Sequence, residues 1–144
     1  MFTTTIYTLA EKQEMDGWSN YYPFRVFGTI KAAGAHLKKD DDDEEAQYTR
    51  SDGSKTMHPV IIKCYKVMGG SSVRIGDTVY CPSLEEDYSV NYPGIYTDKV
   101  SAETAIQDYI NKNCLEYGCD PEWYEGPNPK YPHRIEEFIV ENEE

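Results

Sequence analysis

The 144-residue sequence predicts a single α+β domain, a mainly antiparallel β-sheet of five to six strands packed against one principal α-helix near residues 101–117. Three observations carry this reading. Runs of β-branched and aromatic residues are separated by glycine- and proline-bearing turns, the punctuation of strands. The segment 101–117 repeats its apolar residues at three and four, the period of a helix lying on one face. A chain of this length buries roughly 68 to 70% of its unfolded surface. It therefore needs no disulfide or metal to hold one core, and residues 1–144 are read as one domain with an acidic loop at 40–45 and an acidic tail at 141–144.

Residues 3–9 are Thr-rich and carry Ile6, Tyr7 and Leu9, which fits a strand; the polar residues 11–17 read as a turn. Trp18 to Pro23 lead into the clearest alternation in the chain, with Phe24, Val26, Gly28 and Ile30 on one face and Arg25, Phe27, Thr29 and Lys31 on the other. A glycine in mid-strand, here Gly28, marks a bulge or a close backbone approach. Tyr48, Thr49 and Arg50 make a short strand, and Asp52-Gly53 a turn. The organising stretch runs from Met57 to Cys81, read as a central β-hairpin: Val60 to Val67, a turn at Gly69-Gly70-Ser71-Ser72, then Val73 to Cys81, bent at Gly76-Asp77 and ended by Pro82. The unbroken Val60-Ile61-Ile62 predicts a strand covered on both faces and central in its sheet.

Glu85-Glu86-Asp87 reads as an exposed turn, and residues 88–97 as a strand broken at Pro93-Gly94. Gly94-Ile95-Tyr96 spells half of a nuclease signature whose other half is absent. The helix is capped by Ser101 and stopped by Gly118, with Ala102, Ala105, Ile106, Tyr109 and Ile110 as its buried stripe. Asp120-Pro121 has the cap-then-proline order of a short helical turn. Residues 126–132 are stiffened by proline, and residues 134–140 close the domain as a strand.

Composition narrows the function. With 26 acidic against 14 basic residues the formal charge is −12, which repels phosphate backbones and anionic head groups. Direct nucleic-acid and membrane binding are not expected. The first five residues carry no basic segment or apolar run, and no window approaches the roughly 20 apolar residues of a membrane helix, so a cytoplasmic protein is expected. The cysteines, Cys64, Cys81, Cys114 and Cys119, lack the close pairing of zinc ligands. Reduced thiols are expected, with Cys64 and Cys81 as small core residues, and no cofactor or metal. His36, His58 and His133 have no nucleophile or acid motif around them and read as exposed.

Two surfaces remain as candidates. The acids of Asp40, Asp41, Asp42, Asp43, Glu44 and Glu45 and of Glu85, Glu86 and Asp87, with the aromatics Tyr88, Tyr92, Trp123 and Tyr124, fit docking onto a protein with a basic surface. Basic residues instead concentrate where strands are predicted, and Arg25, Lys63, Lys66 and Arg74 are the candidates for holding an anionic small ligand such as a nucleotide. The acidic, motif-free profile favours the first: a non-catalytic, stoichiometric inhibitor occupying a partner's nucleic-acid groove, of the size and charge seen in phage or mobile-element proteins that block host systems. An enzyme with a site assembled only by the fold is the third reading.

Overall fold

The computed structural model describes residues 2–15, 17–38, 47–48, 59–68, 72–86, 89–127 and 129–141. Its elements in chain order are β1 (Phe2–Thr3), β2 (Thr5–Met15), β3 (Trp18–Phe27), α1 (Ile30–Ala35), β4 (Leu37–Lys38), β5 (Gln47–Tyr48), β6 (Val60–Met68), β7 (Val73–Arg74), β8 (Thr78–Glu86), β9 (Ser89–Asn91), β10 (Ile95–Tyr96), α2 (Lys99–Tyr117), a 3₁₀ turn (Pro121–Tyr124) and β11 (His133–Glu141). The α+β class holds, with strands predominating and one main helix. The sheet does not stay open: its order β10-β6-β2-β3-β11-β8 returns to β10 through the Tyr80–Tyr96 pairing, closing a six-strand barrel. Most pairings are antiparallel, but β10 runs parallel to β6 and β11 parallel to β3.

The hairpin expected over 57–81 is not formed. β6 takes β2 on one edge and β10 on the other, while β8 pairs with β11, β9 and β10. β10 thus separates the two strands that adjacency in sequence had joined. Between them, β7 leaves to pair with β1, and the chain turns at Gly76, whose φ of +97° suits glycine. The bend at Gly76-Asp77 is as expected; the stop at Pro82 is not. Pro82 lies buried within β8. The Glu85 N–H bonds the Pro132 carbonyl of the β11 side, so odd-numbered residues of β8 face β11 and Pro82 faces the opposite edge. That edge is paired by β10 at Tyr80 and by β9 at Leu84. The residue with no N–H falls in the break between them.

β6 is covered on both faces, as Val60-Ile61-Ile62 implied. Tyr65 and Val67 pack inward with Ile6, Val26, Val79, Cys81, Ile95 and Val140, the core of the barrel. Val60 and Ile62 pack outward with Leu9, Phe27 and Ala32 and Ala33 of α1. Residues 11–15 continue β2 instead of turning, and the reversal comes at Gly17 (φ +85°), between Met15 and Trp18. Ile30 and Lys31 begin α1, capped by the Thr29 hydroxyl accepting from the Ala32 N–H at 3.1 Å. Phe24 joins Phe27 in the outer cluster because the β2–β3 register slips between Leu9 and Ala10. That bulge inserts Phe24 as the extra residue of β3 and reverses the alternation. Gly28 follows the strand's end, and a Cβ there would lie 3.3 Å from Cγ1 of Ile75.

α2 starts two residues earlier than expected. Its cap is Asp98, whose carboxylate accepts from the N–H and hydroxyl of Ser101 at 2.7 and 2.8 Å. It stops at Gly118 in the left-handed conformation (φ 66°, ψ 24°), as read. Ala102, Ile106 and Ile110 are buried; the last two pack with Leu84, Tyr124 and Tyr131. The 3₁₀ turn after Asp120, the interruption between β9 and β10 and the final strand are all as expected. Of the strand expected at 48–50 only Tyr48 is described, in β5, and the Asp52-Gly53 turn, His58, Gly69 to Ser71 and the tail beyond Glu141 lie outside the described residues.

Candidate functional site

The four basic candidates are not gathered. Arg25 points out of β3 and makes a two-pronged ion pair with Glu141 of β11, Nε to Oε2 at 2.8 Å and Nη2 to Oε1 at 2.5 Å. Its guanidinium also lies 4.9 Å from the centre of the Phe27 ring. Parallel pairing makes this contact, because Val140 sits beside Val26 and Glu141 beside Phe27. The Arg25 side chain holds the Glu141 carboxyl below the ordinary range, burial opposing it. Lys63 turns to the Tyr21 ring, 4.2 Å from its centre. Lys66 is exposed on β6 and Arg74 on β7.

His36, expected in solvent, is half-buried at the end of α1. Its ring stacks on Phe27 with centroids 5.0 Å apart. Nη1 of Arg25 lies 3.2 Å from its Nδ1, and since a guanidinium only donates, Nδ1 accepts and the proton resides on Nε2. Nε2 is buried with no partner. Burial first, then the Arg25 charge, push the imidazole down from its ordinary value, against the pull of Glu141. His133 is exposed, as expected.

Inside the barrel lies a second group of titratable side chains. Burial, then the charge of Glu136, pushes the Cys81 thiol up to about 12. Tyr92 is raised by burial, then by Glu136 and Cys81, and Tyr65 by burial, then by Cys81. Glu136 is paired with Arg134 at 2.6 Å. Cys81, Tyr92 and Tyr65 therefore stay protonated at neutral pH, and a thiol so raised is not a nucleophile. Cys64, expected in the core, is exposed on β6; Cys81 is buried as expected, and the described cysteines are free. Among the described residues no group of three or more His, Cys, Asp or Glu is placed to hold a metal ion.

The acidic candidates divide. Asp40 to Glu45, Asp87 and Tyr88 lie outside the described residues. Glu85 and Glu86 end β8 instead of forming a turn. Glu85 is exposed, whereas Glu86 accepts from the side-chain amides of Asn91 at 3.2 Å and Asn113 at 3.4 Å, tying β8 to β9 and α2. Of the aromatics, Tyr124 is buried at 2% exposure and Tyr92 packs against the barrel core. Trp123 meets Tyr131 edge-on, 5.8 Å between centroids, under Lys130. All three rings pack against the molecule itself, Tyr124 buried and Tyr92 and Trp123 partly so.

Among the described residues a further acidic surface is present. Along 98–130, Asp98, Glu103, Asp108, Glu116, Asp120, Glu122 and Glu125 face solvent with only Lys99, Lys112 and Lys130 against them. Within this layer Val100, Leu115 and Tyr117 are exposed at 71, 87 and 74%.

Fold and sites together define a small closed β-barrel carrying two external helices, the longer with an acidic outer surface. Comparison with protein families, curated proteins and solved structures returned no match. No helix among the described residues is long and apolar enough to cross a membrane.

Proposed function

We propose that this protein is a non-catalytic, stoichiometric binding protein that docks on a basic, nucleic-acid-binding surface of a partner protein, as an inhibitor of a host system carried by a phage or mobile element would. The observation that carries the reading is the exposed layer over 98–130, seven carboxylates against three lysines, with Val100, Leu115 and Tyr117 as apolar anchors among them. Apolar contacts inside a charged surface give affinity and orientation together. The scattering of Arg25, Lys63, Lys66 and Arg74 weighs against a ligand site on a basic sheet face, and the raised Cys81 thiol supplies no nucleophile for an enzyme.

The test is capture of the partner at low salt, challenged by added salt and by duplex DNA, alongside a variant carrying Glu116→Gln, Asp120→Asn, Glu122→Gln and Glu125→Gln. Salt and DNA are expected to release the partner, and the variant to hold it at least about ten-fold more weakly. Capture indifferent to DNA and to the four amides overturns the proposal.

A further inference from the structure

We propose that His36, Arg25 and Glu141 form an acid-released latch: protonation of His36 frees α1 from the barrel wall and uncovers the apolar surface beneath it. α1 is six residues long, too short to persist unless docked. It covers Leu9, Phe27 and Val60 with Ala32 and Ala33. The chain leaving the helix is pinned by the His36 ring, stacked on Phe27 and accepting from Arg25 through Nδ1.

A second proton has no tolerable place on that ring. Nδ1 would have to donate, and among the described residues the group within hydrogen-bonding distance of it is a guanidinium that also donates. The two cations would stand 3.2 Å apart on the same side of a ring whose other nitrogen is already buried without an acceptor. Arg25 does not move aside, because Glu141 holds it through two bonds. The charged groups acting on the ring are Arg25 from β3 and Glu141 from β11. α1 contributes Lys31, which is exposed; among the described residues β2 places Tyr7 and Glu11 on the covered face, Glu11 opposite Val60, β6 offers Val60 and Ile62 there, and β4 carries Lys38. Glu141 favours the imidazolium, but its carboxylate is committed to Arg25. The ring leaves, and α1 leaves with it.

The direction with pH follows from the depressed imidazole. The unfolded ring binds a proton more readily than the docked one, so docking is fully favoured above about 6.5 and weakens as pH falls below it. Hydrogen exchange followed by NMR reads this at the Ala33 and His36 amides, which bond the carbonyls of Thr29 and Ala33. Between pH 7.5 and 5, after correction for intrinsic exchange, their protection should fall at least about ten-fold more than that of the β2 amides. His36→Phe keeps the stack and removes the titration, and should abolish the difference. An equal fall in the variant, or no fall in the unaltered protein, overturns the latch. Should His36→Phe not fold, the ring proton shifts of the unaltered protein decide: a midpoint at or above 6.5, or a titration that leaves the α1 amides unmoved, also overturns it.

Discussion

The two helices sit on the outside of the same barrel and are held by different physics. α2 has nineteen residues, a cap at each end and a buried stripe meeting Leu84, Tyr124 and Tyr131. α1 has six, with two alanines for its buried face and the ion pair and imidazole at its end. Apolar burial is indifferent to pH near neutrality, whereas a network of guanidinium, carboxylate and imidazole is not. One helix is fastened by area and the other by charge.

The largest effect that tests this contrast is Leu84→Ala, under α2. It removes a fully buried side chain from the apolar cluster and should cost about 2 to 5 kcal/mol in urea unfolding, by the same amount at pH 7.5 and 5.5. A loss that varies with pH would mean that α2 also leans on charge. Arg25→Ala comes next. Its ion pair is partly solvated, with side-chain exposures of 22 and 33%, so the expected loss is about 2 kcal/mol, less than for a fully buried pair. The same change should raise the Glu141 pKa in an NMR titration; an unmoved carboxyl would refute the pairing.

Acid should separate the regions further. Glu141 is held below its ordinary value of 4.5, so its stabilising share is intact above about 4.5 and lost as pH falls below it. Thermal melts of the Arg25→Ala protein should therefore lose less between pH 5 and 3 than those of the unaltered protein. The smallest effects lie at helix ends. Thr29→Ala removes the α1 cap and Gly118→Ala puts a side chain in the left-handed region, and each should cost about 1 kcal/mol. Thr29→Ala should speed exchange at Ala33 far more than at Ile106, and equal changes would deny that α1 moves independently.

Much of α2 was legible in the sequence because its signals are local: the three-and-four repeat, the Gly118 stop and the Asp120-Pro121 turn all lie within a few residues of what they specify. α1 had weaker local signs, Thr29 before an alanine-rich segment, and the alternation of Phe24 to Ile30 overrode them. The bulge at Phe24, which breaks that alternation, arises from pairing with β2 and leaves no mark in β3 itself. The barrel was not legible, because closure depends on Tyr80 meeting Tyr96 and on β10 passing between strands that a glycine turn had suggested were neighbours. The latch was equally hidden: Arg25 and Glu141 are 116 residues apart, and Glu141 looked like the start of a solvated tail.

The position of β11 also sets the order in which this chain acquires its shape on the ribosome. β11, residues 133–141, pairs with β3 on one edge and with β8 on the other. Until those residues have emerged, the nascent chain carries two unpaired strand edges, exposed to pairing with other chains. On the β8 edge that waits for it, odd-numbered residues present their backbone groups, and Glu85 sits at the solvent-facing end. Barrel closure is therefore a late step governed by long-range pairing, slow beside the folding of α2. A translational pause before residue 133 would lengthen the interval in which these edges are open.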